Sequence, residues 1–270
     1  MRARIIIGVL ACSVLSGFAQ AESAWTMLES GIKKFRSGDI PEADRMLSAA
    51  LRMEGKCLDA HYYLGLIAEQ KRKLRTAAEH YGKIEEKFST YPMAQERLGQ
   101  MARDAGRLDD ALKHYQVFAD KRPGARAWML VGAVQIEMKK YKEAEVNLAK
   151  AAERTKGNLD LVELQGRLYM ETKRYGEALA CYRTILEKIP SDSIVRFLVV
   201  QSLDKIGRTK EAKAELSVLL KRDPYNARAL KMAIGYYADD PSQAAIVKEY
   251  KKRLQRLRTA PPRVRRVKGS

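Results

Sequence analysis

WMLVGAVQIEMKKYKEAEVNLAKAA, running from Trp128 to Ala152, decides the fold. Trp128, the apolar and small pair Val131-Gly132, then Tyr141, Ala144, Leu148 and Ala151 fall at helical spacing. They describe two short amphipathic helices whose backbones approach closely, because small residues stand where the two faces meet. One such hairpin cannot bury its own apolar face and needs neighbours of the same kind.

The chain supplies them. An alanine in the same setting recurs at Ala43, Ala77, Ala111, Ala144, Ala178 and Ala212, in steps of 34, 34, 33, 34 and 34 residues. Twelve residues before each stands Gly31, Gly65, Gly99, Gly132, Gly166 or, in the sixth copy, Val200. Four residues after each comes Leu47, Tyr81, Tyr115, Leu148, Tyr182 or Leu216, and Pro123, Pro190 and Pro224 mark turns between copies. This spacing resembles the tetratricopeptide repeat (TPR) family over roughly residues 24 to 224. The resemblance implies an all-α, right-handed α-solenoid of about six helix hairpins plus a C-terminal capping helix pair.

The copies lie near 24–57, 58–91, 92–124, 125–158, 159–192 and 193–226, with a degenerate cap at 227–258. Turns inside the hairpins are expected at Gly38-Asp39, Lys71 to Lys73, Ala105 to Arg107, Lys139-Lys140, Lys173-Arg174 and Gly207-Arg208. The one lost residue falls most simply at Lys121 to Gly124, a turn between repeats, where length change is tolerated. Asp239-Asp240-Pro241 reads as the cap and first-turn proline of a last helix reaching about Arg258. An array must end in a polar face, and Lys248, Lys251, Lys252, Arg253 and Arg256 supply one.

The two ends read differently. Arg2 and Arg4, the apolar run Ile5 to Leu15 and Ala19-Gln20-Ala21 make residues 1–21 an export signal, so the protein is expected in the periplasm of a Gram-negative-type bacterium, less readily secreted or envelope-attached. An uncleaved anchor is disfavoured because the run is short for a span of about 20 residues. Lipidation at Cys12 would leave the downstream cleavage site unexplained. At the other end Pro261-Pro262 blocks helix continuation, and 259–270 is expected to be a disordered basic tail. The formal charge of +18 becomes +16 when Arg2 and Arg4 are removed, and nine cations with no acid lie between Tyr250 and Ser270.

Catalytic signatures are missing from the sequence: it has no P-loop, no dinucleotide glycine fingerprint and no nucleophile elbow, so no enzymatic activity and no cofactor are expected. Of the three histidines, His61, His80 and His114, no pair has ligand spacing along one helix, and no metal is expected. His80 and His114 share an offset in adjacent repeats and could approach across stacked helices. Cys57 and Cys181 lie nearly four repeats apart, too far to pair within one solenoid.

The resemblance implies where function sits. In this family the first helix of each repeat lines a concave groove, through its second, fifth, ninth, twelfth and thirteenth positions. The fifth positions include Tyr62, Glu96, Met129 and Phe197; the ninth Gln100, Arg167 and Gln201; the twelfth Glu69, Arg103 and Met170. These ten residues are the candidate groove for a protein or peptide partner, with Arg103 and Arg167 as planar donors suited to carboxylates. The family's lysine and asparagine carboxylate clamp is missing from the first two repeats. A non-enzymatic interaction scaffold of the cell envelope is the expected function. The alternative is docking on anionic lipid or an envelope polymer through Lys251, Lys252, Arg256, Arg263, Arg265, Arg266 and Lys268. Nucleic acid is disfavoured as a partner of an exported chain, and a tail that only solubilises is the plain reading of the same cations.

Overall fold

A computed structural model describes residues 23–55, 57–87 and 92–259. The export-signal residues and the tail cations Arg263, Arg265, Arg266 and Lys268 lie outside the described residues. The rest is helical, with no strand among the described residues.

Two compact units part between Val134 and Gln135. The first holds α1 (23–36), α2 (Ile40–Met53), α3 (Leu58–Gln70), α4 (Leu74–Lys87), α5 (Pro92–Asp104), α6 (Leu108–Lys121) and most of α7 (Ala125–Glu137). The second begins inside α7 and continues through α8 (Tyr141–Arg154), α9 (Leu159–Glu171), α10 (Tyr175–Lys188), α11 (Ser193–Lys205), α12 (Thr209–Arg222) and α13 (Ala227–Tyr237). A 3₁₀ turn at Pro241–Gln243 then leads into α14 (Ala244–Thr259). Only three residues, 122–124, separate α6 from α7, which places the lost residue where the spacing put it.

Within each unit successive helices pack as antiparallel hairpins, and the repeated alanines are the reason they can. Ala43, Ala77, Ala111, Ala144, Ala178 and Ala212 are all fully buried. The glycine twelve residues earlier faces the large residue four residues later. A methyl group on Gly65, Gly99 or Gly166 would meet the ring of Tyr81, Tyr115 or Tyr182 at 2.4, 2.6 or 2.7 Å, and one on Gly31 would meet Leu47 at 2.8 Å. In three hairpins a ring packs against the glycine, and in the sixth copy Val200 and Leu216 lie at the same offsets in one buried cluster.

The six repeat hairpins turn by one device. The amide of Asp39, Lys73, Arg107, Lys140, Arg174 or Arg208 donates to the carbonyl five residues earlier, at 2.8 to 3.0 Å. That is a Schellman closure, which needs a left-handed residue just before the donor. Gly38, Gly106 and Gly207 fill that place at φ between 74° and 83°, whereas Arg72, Lys139 and Lys173 fill it at 57° to 62° despite the penalty a side chain carries there.

The first unit's core is built from Leu28, Leu47, Leu64 and Ile67, then Tyr81 and Ile84. The second is centred on Tyr182, Val199, Leu203, Leu216, Leu219 and Leu230, and Tyr250 and Leu254 of α14 pack against it. The remaining surface of α14 exposes Lys248, Lys251 and Lys252, the polar cap an array requires. Asp240 caps the 3₁₀ turn that leads into α14 rather than α14 itself, accepting from the Ser242 amide at 3.0 Å. Both described cysteines are free and half-buried, and burial raises both thiols above their ordinary range.

Candidate functional site

The odd-numbered helices carry the candidate groove residues. In the first unit most of the charged ones are already engaged by neighbours. Glu69 on α3 accepts from the Tyr81 hydroxyl at 2.8 Å and pairs with Arg97 on α5 at 2.8 Å. Burial first, and then this bond to a carboxylate, hold the Tyr81 phenol far above its ordinary range. Glu96 is gripped by Arg126 through two contacts of 2.8 and 2.6 Å. Gln100 donates to Asp104 at 2.7 Å and accepts from Tyr115 at 3.2 Å. Arg103 is half-buried and has a partner of its own. Tyr62 is half-buried in an aromatic cluster, 5.5 Å from the Tyr63 ring and 6.2 Å from that of Tyr81, with Phe35 5.3 Å from Tyr63. Met129 is half-buried.

The second unit repeats the pattern with looser ties. Arg167 faces Glu137 at 4.0 Å and keeps 39% of its side chain exposed, so it is the groove cation most able to turn to a ligand. Met170 sulfur accepts from the Ser202 hydroxyl at 3.3 Å, and Gln201 is half-buried. Phe197 is 8% exposed and belongs mainly to the core. Tyr236 donates to Asp204 at 2.6 Å. Ion pairs between successive odd helices thus neutralise much of what the sequence offers as recognition charge.

Two hollows remain on these helices, each lined by a second-position residue. An open hollow of about 360 Å³ between α11 and α13 is lined by Ser193, Ile194, Phe197, Leu198, Ala227 and Arg228. Ile194 is 74% exposed, and Arg228 at the rim is exposed with no ion pair among the described residues. In the first unit a hollow of about 490 Å³ is lined by Trp25, Leu28, Ile32, Lys33, Arg36 and Asp59, and Trp25 is 59% exposed. Trp25, Ile194 and Arg228 are second-position residues. The family's groove pattern points at those positions, but spacing alone gives no sign that they would outlast the fifth and ninth as free surface.

The histidines pair otherwise than their shared offset suggests. His80 meets His61 of its own hairpin, Nδ1 to Nδ1 at 3.0 Å, and His114 meets Gln95 at 2.7 Å. Among the described residues no group of three or more His, Cys, Asp or Glu side chains could hold a metal. No described helix is long and apolar enough to cross a membrane.

Family models described as tetratricopeptide repeat match residues 28–92, 70–126, 96–159 and 135–199. The chain belongs to the tetratricopeptide repeat family. Among solved structures, this TPR chain is similar to a tetratricopeptide repeat protein from Parabacteroides merdae, at 17% identity and a TM-score of 0.64, over 87% of this chain and 99% of that one. It is also similar to PilW, a widely conserved type IV pilus biogenesis factor, at 13% identity and 0.65, over 78% and 98%. A third is YrrB, a TPR protein with an unusual peptide-binding site, at 15% identity and 0.61, over 69% and 97%. At these identities the likeness is one of fold. No curated protein matches the TPR sequence significantly.

Proposed function

We propose that this protein is a non-enzymatic interaction scaffold that holds a peptide segment of a partner on its odd-helix face, in the bacterial cell envelope. The observation that carries the reading is the exposure of Ile194 beside Phe197 and Leu198, with an exposed Arg228 at the rim that has no ion pair among the described residues. Large apolar side chains left in water around a concavity, with a cation beside them, suit a peptide with apolar side chains and a neighbouring carboxylate. YrrB, whose structure is described as having a peptide-binding site, and PilW, described as a pilus biogenesis factor, lend the reading support as neighbours in fold. The envelope location rests on the basic, apolar and A-x-A succession of residues 1–21.

The test is the double substitution Ile194→Asp with Arg228→Glu. Both residues are exposed, so far-UV circular dichroism is expected to stay unchanged. A partner that co-purifies with the unsubstituted protein is expected to be lost. Retention of that partner at unchanged yield means that it is held elsewhere.

One observation favours a second reading. Lys248, Lys251 and Lys252 stand exposed on α14, and four further cations follow after Pro262. A field of this kind draws an anionic surface and fades over a Debye length of about 8 Å at physiological salt. Binding to vesicles of anionic lipid should then fall steeply as salt rises; salt-independent binding removes this reading.

A further inference from the structure

Position 19 residues apart within a hairpin brings one side chain of the odd helix against one of the even helix. Gln95 meets His114 there, Arg196 meets Glu215, and His61 on α3 meets His80 on α4. The first two are ordinary complementary pairs, donor against acceptor or cation against anion. The third is different, because both partners are imidazoles and each presents the same nitrogen. The Nδ1 atoms are 3.0 Å apart, the ring centroids 5.3 Å, and the planes are inclined at 51°. One ring carries its proton on Nδ1 and donates it to the lone pair on the Nδ1 of the other.

We propose that His61 and His80 form a two-histidine site for a divalent transition-metal ion of the Zn²⁺ class, bound through both Nδ1 atoms. Imidazole nitrogens stand about 2.0–2.1 Å from such an ion, so two of them on one ion lie about 2.9–3.4 Å apart for angles between a right angle and the tetrahedral value. The observed separation falls in that interval. Both histidines are half-buried. On binding, the proton on one Nδ1 transfers through water to Nε2 of the same ring, so two neutral imidazoles ligate and no net proton is released. Water fills the remaining positions, since no third His, Cys, Asp or Glu completes the group among the described residues. Imidazole suits Zn²⁺, Ni²⁺ and Cu²⁺ over Mg²⁺ or Ca²⁺.

The test uses the purified full chain without a histidine tag, titrated with ZnCl₂ at pH 7.5 by calorimetry. One ion per chain is expected, with His61→Asn and His80→Asn each weakening it by about 100-fold while circular dichroism is retained. Gln95→His copies the pair into the next hairpin opposite His114 and should raise the count to two. A readout that needs no substitution is the ring-nitrogen resonances of the three histidines: on adding Zn²⁺, His61 and His80 should shift and His114 should not. Binding that survives both asparagine variants, a shift at His114 alone, or no binding at micromolar Zn²⁺ overturns the proposal. So does Mg²⁺ competing on equal terms.

Discussion

Replacing Gly65 with alanine puts a methyl carbon 2.4 Å from Cε1, 2.7 Å from Cζ and 3.0 Å from Cδ1 of Tyr81. Ordinary contact begins near 3.4 Å, so the ring must retreat by about an ångström. Tyr81 is fully buried, with Ile84, Ala77 and Ala94 in the same cluster, and its hydroxyl is tied to Glu69 at 2.8 Å. Retreat therefore strains the packing, at about 1–3 kcal/mol for an overpacked core. It also loosens a hydrogen bond to a charged group worth about 1.5–3 kcal/mol. Alanine returns about 1 kcal/mol of helix propensity. The net expectation is a loss of about 2 kcal/mol. Gly82 is the internal control: it lies in the interior of α4 with nothing within 4 Å of an added methyl, so Gly82→Ala keeps the propensity gain and should stabilise by about 1 kcal/mol. Urea unfolding followed at 222 nm, read as midpoint and slope for each variant, separates the two. Tyr81→Leu in the Gly65→Ala background should recover part of the loss, because the sixth copy holds Val200 and Leu216 at the same offsets in one buried cluster. If Gly65→Ala is as stable as the unsubstituted chain, or Gly82→Ala falls with it, the tight glycine contact does not organise the hairpin.

The other expectations follow from single contacts. The Tyr182 hydroxyl is buried with no hydrogen-bond partner among the described residues, whereas that of Tyr81 is bonded to Glu69; Tyr182→Phe should be neutral or stabilising by up to about 1 kcal/mol and Tyr81→Phe destabilising by about 2, in the same urea assay. Equal losses would remove the distinction. Lys139→Gly and Lys173→Gly relieve left-handed backbone and should each raise stability by about 0.5–1 kcal/mol after the added freedom of the unfolded chain is subtracted; a loss would mean the side chain contributes more than its strain. Glu211, hydrogen-bonded by Arg208 and also by Arg183, titrates below the usual glutamate range. A depressed folded-state value means that its contribution is present at neutral pH and lost as pH falls through that value. Carboxyl carbon shifts followed by NMR against pH check this, and an ordinary glutamate midpoint would contradict it.

The fold was open to reading because its determinants are local and periodic. Ala144 with Gly132 and Leu148 states the contact rule once, and 34-residue recurrence repeats it. Turn positions and the shortened linker after Lys121 follow from the same period. The site was harder to read for a physical reason. Family positions say which side chains face a groove, but whether Glu69 or Glu96 is available depends on Arg97 and Arg126, 28 and 30 residues away on the next odd helix. No residue in the local pattern reports such a pairing. The histidines show the same limit: a shared offset links His80 to His114, while the hairpin's own register, 19 residues, links His80 to His61. Conversely Ile194 and Trp25 stand out only once the exposure of a large apolar side chain is known.

The claim that the odd-helix face holds the partner is tested most directly by a photoreactive residue placed, one at a time, at Ile194, at Trp25 and at Val146. Val146 is a similarly exposed apolar residue, 55% accessible, on the even helix α8. Irradiation in living cells should cross-link one protein partner from position 194 or 25 and none from position 146. Cross-linking from 146, with 194 and 25 silent, would contradict the account.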